Sequence, residues 1–187
     1  MNKINSKEVF SKKNKNTIFN VILAVKSYWP LKQELNIVLS ICYTDINFII
    51  AKFYKQHLDY DFNKDFNLIS KRLILSNSNE LEFKELYFTK DIEKICPEVL
   101  SIIKQNLNIF FEKYCNYSCL ADEYIEDNNI EWYQGRIFAL VALKISNDKR
   151  YICYKSELIK IIKKDSFDVS KRQSIQNIIQ YVDKKYI

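Results

Sequence analysis

One glycine in 187 residues is the feature that most restricts what this chain can fold into. Glycine supplies the positive-φ positions that tight turns, hairpins and phosphate-cradling loops use. Average usage would give roughly a dozen. With Gly135 alone, a fold of many short strands joined by tight turns is disfavoured. A Walker loop, a dinucleotide fingerprint and a nucleophile elbow each need two or more glycines and are excluded. The single histidine, His57, leaves His-based metal sites and a conventional triad little to draw on. No catalytic set, metal or cofactor is expected. The chain reads as a non-enzymatic, mostly helical soluble domain that binds a partner.

At 48% hydrophobic and 28% charged, the chain can bury the core of one ordinary domain. Its net charge of +6 is unevenly placed: residues 1–15 carry five Lys and one Glu, and residues 144–187 carry eleven Lys/Arg and five acids. Basic ends around an acidic middle suit an anionic membrane or nucleic acid. Arg clusters and aromatic–basic interleaving are missing, so a solvated face is preferred and no nucleic-acid partner is expected. The five cysteines, Cys42, Cys96, Cys115, Cys119 and Cys153, are odd in number and read as thiols in a reducing compartment. No apolar run approaches the ~20 residues that span a bilayer. The skew to Ile, Asn and Lys, with only 4 Arg, is that of an AT-rich genome.

Apolar periodicity predicts helices along most of the chain. Residues 1–16 read as a flexible basic N-terminus, and 17–187 as one helical-bundle domain. Ile18, Val21, Ile22 and Val25 recur at helical spacing up to Pro30. A second helix is predicted over about 33–57, with Leu35, Val38, Leu39, Cys42, Ile46, Ile49, Ile50, Phe53 and Tyr54 on its apolar face. Ser76–Asn79 is a loop, Thr89 an N-cap, and Pro97 the first turn of a further helix. Helices follow over 118–127, from about 131, over 151–164 and over 170–185. The run Ile137–Leu143 is apolar all round and belongs at the centre of a bundle. The acids Asp122, Glu123, Glu126 and Asp127 read as a solvated face rather than paired catalytic carboxylates. The expected fold class is all-α, seven to eight helices around one central hydrophobic helix.

The stretch Asn129-Ile130-Glu131-Trp132-Tyr133-Gln134-Gly135-Arg136-Ile137-Phe138-Ala139 resembles the first homology motif of the Bcl-two (B-cell lymphoma 2) family of apoptosis regulators. There an acidic helix leads through a turn to Asn-Trp-Gly-Arg and into the central helix. Here Tyr133-Gln134 separate Trp132 from Gly135, and the family's second motif, a Trp near the C-terminus, is absent. Divergence of this kind is similar to virus-encoded, poxvirus-like members. The resemblance implies a Bcl-two-like bundle with a surface groove for BH-three helices of pro-apoptotic proteins, both Bak/Bax-like and BH-three-only. Arg136 would pair with a ligand aspartate and Gly135 would admit the ligand backbone. Phe138 and Ala139 would floor the groove, and Ile50, Tyr54 and Tyr124 would wall it. The implied role is suppression of host cell death from the cytoplasm, peripherally at the mitochondrial outer membrane, as a monomer or domain-swapped dimer. Arg136 could equally pair with Glu131 or Asp127. The alternative function is a helical immunity protein or antitoxin that binds a toxin.

Overall fold

The computed structural model describes residues 3–28, 32–58, 68–73, 89–126 and 133–186. Four strands, β1 (Lys3–Asn14), β2 (Thr17–Tyr28), β3 (Lys32–Tyr43) and β4 (Ile69–Leu73), form one antiparallel sheet in the order β1-β2-β3-β4. Among the described residues six helices accompany them: α1 (Thr44–Phe53), α2 (Thr89–Tyr114), α3 (Tyr117–Glu126), α4 (Tyr133–Ile145), α5 (Tyr151–Ile162) and α6 (Val169–Lys185). A 3-10 turn, Lys55–His57, follows α1. The architecture is therefore an α/β mixture. The all-α, Bcl-two-like bundle expected from the sequence is overturned.

The correction falls on the first 43 residues. The predicted flexible terminus is strand β1, the predicted first helix is β2, and the predicted second helix is β3 running directly into α1. Two physical reasons account for this. Ile18, Val21, Ile22 and Val25 fit helical spacing, but the segment is dense in β-branched and aromatic residues, whose stiff χ1 favours a pleated surface. The hairpin also needs no glycine. β1 and β2 pair from Lys3↔Tyr28 to Asn14↔Thr17, leaving a two-residue connection, and Lys15 takes φ 49° there. A left-handed Lys costs about 1–2 kcal/mol, a local cost that a long ladder can offset. Predicted helix boundaries in the rest of the chain differ less, except that Pro97 lies inside α2 rather than opening a separate helix. Ser76–Asn79, the predicted loop, lies outside the described residues.

The chain divides into two compact units, Met1–Cys42 with Asn67–Glu112, and Tyr43–Phe66 with Lys113–Ile187. In the first, Ile37, Leu39 and Ile41 alternate along β3 with no exposed surface, and β4 pairs beside them from Ile37↔Leu73 to Ile41↔Ile69. Phe19 of β2 packs on Phe111 of α2 at 4.5 Å between ring centroids. In the second, α4 packs against α1, α3, α5 and α6, and every residue of Ile137–Leu143 is buried. Side chains lock its joints. Asp168 caps α6 by accepting the Lys171 N–H at 2.7 Å. The Tyr151 hydroxyl donates to Asp183 at 2.6 Å, and Lys155 reaches the same carboxylate at 3.2 Å.

Candidate functional site

The seven residues predicted to line a groove fall on three helices and the turn after α1. Gly135, Arg136, Phe138 and Ala139 lie on α4, Tyr124 on α3, Ile50 on α1, and Tyr54 just past its end. Four of them are core. Relative exposure is 1% at Ile50, 2% at Tyr54, 2% at Phe138 and 0% at Ala139. Phe138 and Ala139 therefore offer no open floor, nor Ile50 and Tyr54 an open wall.

Three of the seven do meet. The Tyr124 ring stacks at 5.4 Å on that of Phe138. Its Cδ1 lies 3.0 Å from where a Cβ on Gly135 would stand. The space that a glycine leaves for close approach is thus filled by this chain's own tyrosine. Arg136 and Tyr124 are the two of the seven that are not buried. Arg136 is partly exposed and, among the described residues, makes no ion pair and no hydrogen bond. Its predicted partners Asp127 and Glu131 lie outside the described residues. Burial raises the Tyr154 hydroxyl's pKa, and the Arg136 charge nearby acts in the opposite direction. Two other arginines are engaged. Arg150 holds Asp148 and Asp122, and Arg172 donates to the carbonyls of Lys164 and Phe167.

Hydrolytic chemistry has one arrangement to consider. His57 Nε2 lies 3.0 Å from Ser174 Oγ and 3.2 Å from the Gln56 amide. A nucleophile–base pair needs a third group on the other ring nitrogen and a reachable hydroxyl. Both recorded bonds use Nε2, and Ser174 is 5% exposed within α6. The pair ties the 3-10 turn to α6. Among the described residues no three His, Cys, Asp or Glu side chains gather as a metal site. No described helix is long and apolar enough to cross a membrane.

A charged surface was missed. The hairpin formed by β1 and β2 carries six Lys and one Glu over residues 3–28, a net +5. Residues 7–16 are exposed at every position, on both faces of β1 and around the turn. Lys12, Asn14, Lys15 and Asn16 crowd the tip, and Lys7 and Lys13 share a face by alternation. The signal was present in the sequence as five lysines among residues 1–15. Read as a frayed end, they had no geometry.

Comparison with protein-family models, with curated proteins and with solved structures returned no match.

Proposed function

We propose that this chain is a non-enzymatic nucleic-acid-binding protein that grips a duplex through its β1–β2 hairpin. The observation that carries the reading is the exposed run of residues 7–16, which places Lys7, Lys12, Lys13 and Lys15 against Glu8 alone. Duplex DNA presents one negative charge per ~1.7 Å of axis, and its major groove admits a two-stranded ribbon. At ~3.3 Å per residue, the 12 residues of β1 reach about 40 Å. The tip decides between phosphate and lipid. A membrane-inserting hairpin needs apolar residues there, and residues 12–16 are Lys, Lys, Asn, Lys and Asn. Ser11 donates to Asn20 at 2.6 Å, adding polar groups behind the tip. This proposal departs from the expectation of no nucleic-acid partner, because the terminal lysines lie on an ordered, exposed strand and turn rather than on a frayed end.

The test is fluorescence anisotropy with a labelled 20-base-pair duplex across a salt series. Wild type should bind with a steep salt dependence. The K7Q/K12Q/K13Q variant should lose affinity, and its salt slope should shrink by about 2.7, or ~0.9 per phosphate contact removed. An unchanged slope, no binding by wild type at low salt, or binding to anionic vesicles in place of duplex would each overturn the reading.

A second reading rests on Arg136, whose guanidinium has no acceptor among the described residues. That leaves it able to take a ligand carboxylate, as the Bcl-two resemblance implies for BH-three helices. The buried Phe138 and Ala139 would have to become accessible for such a helix to seat. Calorimetric titration with BH-three peptides checks this. Binding that Arg136→Ala weakens by about 2 kcal/mol would support it. No heat across the panel would remove it.

A further inference from the structure

We propose that the open depression at the C-terminal end of α1 is a binding site for a nucleoside monophosphate. It measures about 500 Å³ and is lined by Ala51, Lys52, Phe53, Lys55, Gln56 and Leu58. That volume falls in the range of small-molecule sites. The site is separate from the hairpin, and the inference stands without the duplex reading.

Its walls carry three kinds of chemistry. The first is cationic: Lys52 and Lys55 are exposed and have no acidic partner among the described residues. The rings beside them help to position one of these charges. The Lys52 ammonium lies 5.2 Å from the Phe53 centroid and 4.9 Å from that of Tyr181. Those π faces attract the cation and restrict a long side chain that would otherwise wander. The second is aromatic: Phe53 is half-buried and braced at 5.2 Å by Tyr181 of α6, a firm surface for a flat base. The third is the Gln56 side-chain oxygen, which can accept, while the amide nitrogen lies 3.2 Å from His57 Nε2 and 3.5 Å from Ser174 Oγ. A ligand that uses all three is a phosphate dianion joined to a planar, hydrogen-bonding ring. Inorganic phosphate would satisfy the lysines and leave the ring bare. An apolar ligand would sit against two ammonium groups that have no acidic partner among the described residues. A free nucleotide and the 5′-phosphorylated end of a strand share the required chemistry.

The experiment titrates the full chain with adenosine monophosphate, inorganic phosphate and short oligonucleotides with and without a 5′ phosphate, by calorimetry and NMR. Adenosine monophosphate should saturate, and K52Q/K55Q should weaken it by about tenfold. Phe53→Leu should weaken the nucleotide and leave inorganic phosphate unaffected. Competition by the 5′-phosphorylated oligonucleotide alone would assign the site to strand ends. Failure to compete would assign it to free nucleotide. Circular dichroism checks that the variants fold, since Lys52 and Lys55 are surface residues. The inference is overturned if adenosine monophosphate does not saturate, if K52Q/K55Q binds it unchanged, or if inorganic phosphate binds equally well, which would mark a plain anion patch. Loss of duplex binding in the hairpin variant has no bearing on these outcomes.

Discussion

Gly135 shows how one side chain can hold another position to a hydrogen atom. Tyr124 stands 3.0 Å from the missing Cβ, and its ring cannot retreat freely because it rests on Phe138. Two effects of opposite sign then bear on Gly135→Ala. Alanine is favoured over glycine in a helix by up to about 1 kcal/mol. Pushing an aromatic ring aside in a packed site costs a similar amount, about 1 kcal/mol or more. The single variant is therefore expected within about 1 kcal/mol of wild type. In a Tyr124→Ala background the obstruction is gone, and the same change should stabilise by up to about 1 kcal/mol. Denaturant unfolding of the four proteins closes the cycle. A coupling energy near zero would mean that the ring does not restrict Gly135. The same geometry explains why the motif residues misled. Gly-Arg at the mouth of an apolar helix is legible in sequence, but whether the cleared space faces a ligand or an internal tyrosine is a tertiary fact.

The joint between α4 and α5 shows what elements require. Asn147 ends α4 in a left-handed conformation, φ 54°, its N–H bonded to the Lys144 carbonyl while that of Asp148 reaches Leu143. This is the helix stop that glycine commonly provides, made with asparagine instead. Asp148 then accepts from the Arg150 backbone N–H at 2.9 Å and from its guanidinium at 2.7 Å. Those bonds, the side-chain ones foremost, hold the Asp148 carboxyl below the usual carboxylate range. A depressed folded-state pKa adds stability above the unfolded value, about 3.9, and that stability is lost as pH falls through the folded value. Arg150 is 43% exposed, so water screens the pair and Asp148→Asn should cost only about 1 kcal/mol at neutral pH. Thermal midpoints of the two proteins should differ by a constant amount from pH 8 to 5 and converge below about 4. A gap that persists in acid would assign the cost to shape rather than charge. This joint and the one at Lys15 also locate the fault in the glycine argument. Scarce glycine limits positive-φ positions only if other residues refuse them, and here Lys and Asn accept. Helices α4 to α6 were legible because their apolar stripes stay in phase for three turns or more. β2 and β3 were not, because a short run rich in Ile, Val and Leu satisfies both periods. What separates them is strand pairing: β3 lies beside β2 and β4 in the sheet and buries Ile37, Leu39 and Ile41 together with Asn36, Ser40 and Cys42, and no local periodicity announces that.

At the scale of the whole molecule, the exposed lysines of the hairpin and the largest core run are in different places. The hairpin holds +5, residues 144–187 hold +6, and the rest of the chain holds −5. The largest apolar run, Ile137–Leu143, belongs to the other compact unit. Residues kept for packing and residues available for a partner should therefore separate by experiment. Lys7, Lys12 and Lys13 are exposed and form no ion pair among the described residues, so replacing them removes only mutual repulsion. Stability should move by no more than about 0.5 kcal/mol in K7Q/K12Q/K13Q, upward where it moves at all. Leu140 is 0% exposed, and Leu140→Ala should cost about 2–5 kcal/mol through lost burial and the cavity left behind. Its affinity for duplex should be unchanged below the unfolding transition. Thermal melts beside anisotropy titrations would compare both variants. If the lysine variant proved as unstable as the core variant, the hairpin charges would be part of what holds the fold together. Lost duplex binding would then report unfolding rather than a lost contact. If stability holds while binding falls, the ribbon is the part of this molecule that its partner touches.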